Sequence, residues 1–181
     1  METNNIIQTN LKTLVIEGQI GYYTNFLLEK FMEKLQKSEG YNMEINSFGG
    51  NVYWASKMIL LMSNPDYTRC VTMFGKTKVK SAALYIFALG KERVANETTK
   101  FHIHRHYAEA SKEIPLEITK DELNHWETIT ICTKIPLPRI KELAMANDGK
   151  GTIFGSHEAK EMRLIHDIWT PGQKIFSYKS D

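Results

Sequence analysis

The sequence predicts an α/β fold on a parallel sheet core, and three observations predict it. Short apolar, β-rich runs alternate with segments of helical period. Successive runs lie far enough apart for a crossover helix, which parallel strands require. Turn formers such as Gly18, Gly21, Gly40 and Asn64-Pro65-Asp66 punctuate the alternation. Together these imply right-handed βαβ units.

The elements follow in order. Residues 11–16 (LKTLVI) read as a strand ended by Gly18 and Gly21. Thr24 is placed to cap a helix whose Leu28, Phe31, Met32 and Leu35 share a face, with Gly40 closing it. Residues 41–46 form the second strand. A helix starts near Val52, with Val52, Ala55, Ile59 and Met62 on one face, and breaks at Asn64-Pro65. Residues 68–74 read as a third strand and Ser81–Leu89 as a buried helix. One or two strands cover 93–105. Thr119 and Glu122 fit a capping box for a helix carrying Leu123, Trp126, Ile129 and Thr133. Pro136 and Pro138 end that helix and open another through Leu143. A last helix starts near Ser156, with Glu158 and Glu161 placed to suit its dipole.

Composition sets limits. With 181 residues, 42% of them hydrophobic, the chain suits one domain spanning 1–181. A net charge of +2 gives no strong pull toward nucleic acid or membrane. No apolar run is long enough to span a bilayer, and METNNIIQTN has no signal-peptide core. Cys70 and Cys132 make no disulfide framework and suit a reducing, cytoplasmic setting. Residues 1–10 and 170–181 read as flexible ends.

Three segments carry chemistry. INSFGGNV (45–52) puts Gly49-Gly50 just past a strand: a common turn, or a backbone bare enough for a substrate carbonyl to approach. KSAALYIFALG (80–90) opens an apolar helix with Ser81: an N-cap, or a nucleophile at the positive end of a helix dipole. FHIHRH (101–106) places His102, His104 and His106 on one face of a strand: a base, a zinc-binding row, or a plain exposed row. Lys80, beside Ser81, is a further candidate base, although neighbouring side chains at a helix start diverge. Backbone donors, a nucleophile and a base are the parts of a serine hydrolase.

In order and spacing these segments resemble the Clp protease proteolytic subunit (ClpP) family. That family has INSPGG, a small-residue run into a serine-started helix with a glycine nine positions on, and an MIH segment. Here Gly90 falls nine after Ser81, and His102-Ile103-His104 matches MIH. IFGSHEAKEMRLIHDI (153–168) resembles the family's FxxxEAxxxGLI segment. The resemblance makes Ser81 the nucleophile, His104 the base, and the N–H groups of Gly50 and Ala82 the oxyanion donors. The family's aspartate column lands on Gly151, and Asp148, with Asn147 beside it, is taken as the third member. Phe48 replaces the family's proline and Trp54 a small residue, adding bulk near the groove. Val79-Lys80 replaces small residues before the nucleophile, Arg105-His106 replaces Gln-Pro, and the run from Gly75 to Ser81 is about two residues longer.

The resemblance spans residues 12–169. It implies a ClpP/crotonase-like fold of repeated ββα spiral turns with a helical handle at about 107–135. The expected activity is a serine endopeptidase acting through an acyl-enzyme, without metal or organic cofactor. It implies a homo-oligomeric ring, or double ring, enclosing the sites and fed peptide or unfolded protein by an ATP-driven (AAA+) unfoldase. The apolar face of Leu123, Trp126 and Ile129 is expected to lie uncovered on the handle and to join subunits. Rival readings are a non-catalytic ring subunit, an acyl-CoA enzyme of crotonase fold, and a metal-binding module on the histidine row.

Overall fold

The computed structural model describes residues 11–35, 40–64, 71–107 and 113–170. The expectations for both ends, for Pro65 to Cys70 and for part of the handle's start lie outside them. Strand β1 (Thr13–Ile20) leads through Gly21 into α1 (Tyr22–Met32). Thr24 does not cap from the expected N-cap position. It sits inside the first turn, where its hydroxyl accepts from Gly21 N–H at 2.9 Å. Strand β2 (Tyr41–Gly50) runs four residues past the expected 46 and carries the glycine pair at its end. Asn51 then caps α2 (Val52–Met62), its side chain accepting from Tyr53 N–H at 2.8 Å.

Strand β3 (Val71–Lys80) also runs six residues past the expected 74, up to Ser81. Helix α3 (Ala82–Ala88) follows with all seven residues buried. A helix apolar on every side belongs in the core, and this one lies between the sheet and helices α2 and α4. Then come β4 (Glu92–Asn96), β5 (Lys100–Ile103), α4 (Lys120–Thr133), α5 (Leu137–Met145), β6 (Thr152–Gly155), α6 (Ser156–Glu161) and β7 (Asp167–Trp169). The capping box of α4 forms as expected: Glu122 N–H reaches Thr119 Oγ1 and Thr119 N–H reaches Glu122 Oε2. Strands β6 and β7, three or four residues each, had no pattern to announce them.

The sheet order is β1-β2-β3-β4-β7, with β5 on the far part of β3 and β6 beyond it. All pairs are parallel except β5–β6. Strand β3 changes partner along its length: residues 72–75 pair with β4, and 78–80 pair with β5. Between those stretches the register with β2 slips. Ile45 pairs with Gly75 and Ser47 with Val79, so two steps of β2 face four of β3. The two additional residues noticed between Gly75 and Ser81 are absorbed there as an irregularity. Thr99 ties it down, its hydroxyl donating to Gly75 O at 3.0 Å and to Lys76 O.

The expectation of an uncovered apolar face on α4 is corrected. Trp126 and Ile129 have no exposed surface, and Leu123 packs half-buried on the same core. Helix α3 covers them, which the sequence could not show because both partners are apolar. Among the described residues of the handle, the exposed large apolar side chains are Tyr107, Leu116 and Ile131. Among the described residues no helix is long and apolar enough to cross a membrane.

Emptying the Trp126 site should cost about 3–5 kcal/mol, as large-to-small core substitutions do. Trp126→Ala should therefore lower the urea midpoint steeply. Glu127→Ala, on the exposed side of the helix, should stay within about 0.5 kcal/mol of wild type.

Candidate active site

Ser81 joins β3 to α3 in a conformation that L-residues seldom adopt, φ 53° and ψ −129°. Such backbone costs on the order of 1–3 kcal/mol and persists only where the surroundings fix it. Two neighbours do so. Ser81 N–H donates to His102 O at 2.9 Å, continuing the β3–β5 ladder, and Leu84 N–H donates to Ser81 O at 2.8 Å. The serine stands at the N-cap position but makes no capping bond with its side chain. Its hydroxyl is thus free of the duty that would give it an ordinary structural role. A strained strand-to-helix turn that presents a serine hydroxyl is the arrangement of a nucleophile elbow.

The Gly49-Gly50 turn closes on this elbow. Both glycines have positive φ, 97° and 155°. A Cβ on Gly49 would lie 2.6 Å from Ser81 Cβ and 2.8 Å from Lys80 O, so only glycine permits the approach. A Cβ on Gly50 would overlap Ile20 O. Gly49 N–H is taken by Ser47 Oγ at 3.0 Å, and Asn51 N–H by Ile20 O at 2.9 Å. Gly50, between them, borders the cleft that also holds Ser81. Ala82 is the first residue of α3, where N–H groups have no partner inside the helix.

His104 borders the same cleft and is largely buried. Its ring lies against Tyr107, centroids 5.3 Å apart and 16° from parallel. Its Nδ1 lies 2.5 Å from the main-chain oxygen of Arg105. A carbonyl only accepts, so Nδ1 carries the proton and Nε2 keeps its lone pair. No hydrogen bond joins Ser81 Oγ to His104 among the described residues. The expected single face of His102, His104 and His106 holds for the first two, whose ring centroids lie 4.8 Å apart, but β5 ends at Ile103 and the His106 ring lies instead against His125, 5.3 Å away. His102 Nε2 meets Lys150 O at 2.8 Å, and His106 Nε2 meets the Tyr85 hydroxyl at 3.2 Å. The three rings have three different hydrogen-bond partners.

Asp148 is not brought to His104. It is exposed, with φ 57°, in a left-handed run that includes Asn147, Gly149 and Gly151. Asparagine and aspartate tolerate that conformation, so the pair serves the turn. Asn147 donates to Gly151 O at 2.9 Å. Gly151, where the family's aspartate column fell, lies directly on the histidine. A Cβ there would overlap Ile103 O and come within 2.6 Å of His104 Cα. No side chain fits at that position, so no carboxylate can stand there.

Sequence reasoning missed the groups that do surround His104. Arg105 is buried and forms an ion pair with the fully buried Glu122, Nη2 to Oε2 at 3.0 Å and Nε to Oε1 at 3.3 Å. The guanidinium also donates to Pro115 O at 2.8 Å and Glu117 O at 2.7 Å. Glu122 Oε1 further accepts from His106 N–H at 2.7 Å. The exchange of Gln-Pro for Arg-His was the available signal. Its partner Glu122 was assigned only to the capping box. Trp54, expected near the groove, instead packs edge-on against Tyr22 and Tyr53. Phe48 does line the cleft, held under the Lys78 ammonium.

The cleft measures about 380 Å³ and is completed by Gln19, Val52, His106 and Tyr107. Burial lowers the pKa of His104 below the ordinary imidazole value, partly opposed by the Arg105 carbonyl and the Glu122 charge. His106 is lowered for the same first cause. Beneath it, His125 stacks on Tyr85 at 4.6 Å and meets Ser56 Oγ at 2.8 Å, and burial takes it down to about 4.

A family model described as Clp protease matches residues 22–171. Among solved structures, the chain is similar to an asparagine-to-aspartate mutant of ClpP1 from Listeria monocytogenes. The TM-score is 0.74 at 20% identity, over 89% of this chain and 92% of that one. That likeness carries the parallel-sheet α/β fold and not the chemistry. No protein of curated function matches the sequence.

The buried histidines set a pH dependence. In the unfolded chain these rings take up protons near pH ~6.5, but in the folded chain only lower. Their contribution is therefore whole above that value and is lost as pH falls toward the folded values, about 4 for His125. The thermal midpoint should drop between about pH 7 and about pH 4.5, and His125→Phe should flatten the drop. A flat wild-type curve would contradict the burial of these rings.

Proposed function

The chain belongs to the Clp protease family, and from that premise we propose that it is a serine endopeptidase hydrolysing peptide bonds through an acyl-enzyme. The observation that carries this reading is the Ser81 elbow, strained and without a capping bond. In the proposed reaction Ser81 Oγ attacks the scissile carbonyl. His104 Nε2, left with its lone pair, takes the hydroxyl proton and returns it to the leaving amine. The Gly50 and Ala82 N–H groups receive the oxyanion, with the α3 dipole behind them. Ser81 and His104 close to hydrogen-bond distance when substrate fills the cleft, as catalytic contacts often do. Phe48, Val52 and Tyr107 supply apolar contact for substrate side chains.

The protein is further proposed to work in the cytoplasm as a homo-oligomeric ring, single or double, fed by an AAA+ unfoldase. Its handle partner then meets Leu116 and Ile131 rather than the buried Trp126. One observation favours the alternative, a catalytically inactive ring subunit: among the described residues no carboxylate hydrogen-bonds to His104, and Gly151 leaves no room for one.

A fluorophosphonate probe separates the two. Wild type should be labelled, Ser81→Ala should not, and losing the nucleophile should cut peptide turnover by several orders of magnitude. An unlabelled wild type would leave the inactive subunit as the reading.

The acid limb of kcat/KM should lie below pH ~6.5, because burial keeps His104 neutral to lower pH and only the neutral ring is a base. Light scattering should report many times the 20.9 kDa of one chain, with Ile131→Glu reducing it. A wild-type monomer at micromolar concentration would exclude the ring.

A further inference from the structure

Every polar group of residue 105 is engaged. Its N–H donates to Gly149 O at 3.1 Å, and its carbonyl receives the His104 Nδ1 proton at 2.5 Å. Its guanidinium is fixed by Glu122 and by the carbonyls of residues 115 and 117. Glu122 in turn holds the N–H of the peptide to which that carbonyl belongs, His106 N–H, at 2.7 Å, and the α4 cap at Thr119. Segment 104–106 is thereby pinned from both sides: by the 147–151 turn through main chain, and by Glu122 through a buried charge.

Hydrolases of this type use a carboxylate on Nδ1 for two purposes. It holds the imidazole in the tautomer whose Nε2 is a base, and it steadies the cation that forms. A main-chain carbonyl serves the first purpose equally, since it can only accept. The second is served here at longer range by Glu122, whose charge favours the protonated ring. The two functions of one aspartate are divided between a carbonyl and a buried glutamate.

We propose that the Arg105 main-chain carbonyl orients His104 in place of a triad carboxylate, and that the buried Arg105–Glu122 pair is the positioning device that holds this carbonyl in place. The proposal rests on the peptidase reading for its kinetic consequence but not for its structural one. Arg105 and Glu122 are positioning residues and Asp148 is neither positioning nor catalytic.

The test is solid-state ¹⁵N NMR of histidine-labelled full-length protein at pH about 8, where free imidazoles are neutral. Signals missing in His104→Gln identify His104. The wild type should show His104 with Nδ1 protonated and Nε2 bare. Glu122→Gln, and Arg105→Lys should the first variant not fold, should turn this into a mixture of tautomers. Both variants should lower kcat roughly ten- to a hundredfold per folded site with KM little changed, because only the fraction in the correct tautomer reacts. Asp148→Asn should leave both tautomer and kcat within about twofold of wild type.

A purely structural role for the pair would reduce the yield of folded protein and leave the tautomer of what remains unchanged, and that result overturns the proposal. So does a wild-type His104 protonated at Nε2, or a tautomer change in Asp148→Asn. A wild type with the expected tautomer but no probe labelling would refute the peptidase reading and leave the orienting contact standing.

Discussion

The close approach of the Gly49-Gly50 turn to the Ser81 elbow is the contact on which the rest depends. It brings the end of β2 against the end of β3 at 2.6 Å between a notional Gly49 Cβ and Ser81 Cβ, so no other residue could stand at 49 without moving the elbow. The elbow itself is strained by on the order of 1–3 kcal/mol. Helix α3 offsets that cost. Leu84, Ile86 and Phe87 are fully buried, and such side chains contribute about 1.5–3 kcal/mol each. A helix so deeply anchored cannot slide to relax its first residue. The strain therefore stays at Ser81, at the mouth of the cleft.

The sheet supplies the rest of the geometry. Strand β3 pairs with β4 below the slip at residues 76–77 and with β5 above it, so its upper end turns toward the strand that precedes His104. Ser81 N–H on His102 O extends that ladder by one bond and fixes the serine relative to the histidine strand. Antiparallel β6 then lies on the other side of β5, Ile103 opposite Thr152, which carries the 147–151 turn onto His104. The insertion that lengthened the approach to Ser81 is what lets one strand serve two neighbours.

The α/β alternation, helices α2 and α3 and the capping box of α4 were legible because each is written locally: a period, an apolar run, a Thr119–Glu122 spacing. Ser81, the glycine pair and His104 were legible as types in order. What was not legible depends on contacts across the fold. The apolar stripe of α4 looks the same whether α3 covers Trp126 or a neighbouring subunit does. The histidine row follows from alternation only while the strand lasts, and β5 stops at Ile103. Asp148 was chosen by nearness in sequence, whereas its positive φ places it in a turn at the surface. Arg105 and Glu122 lie seventeen positions apart with no periodic relation, so their ion pair leaves no pattern to read.

A buried ion pair is a poor means of gaining stability, since removing two charges from water costs most of what their attraction returns. A hydrophobic pair of similar volume would hold α4 to the 105 segment about as well. It could not donate to the carbonyls of residues 115 and 117, nor accept from His106 N–H. The bond to His106 N–H fixes the direction of a peptide plane, and it is the same plane whose oxygen, that of Arg105, touches His104 Nδ1. Packing alone would leave that carbonyl free to rotate by tens of degrees at little cost. The charge pair thus bears on orientation more than on cohesion, at the one place where Gly151 has removed the space for a carboxylate. A subunit kept only to complete a ring has no use for a fixed imidazole tautomer or for an uncapped, strained serine in the same cleft. The contact on His104 Nδ1 and the uncapped Ser81 border one cleft, and it is their conjunction that supports the proposed catalytic reading over the structural one.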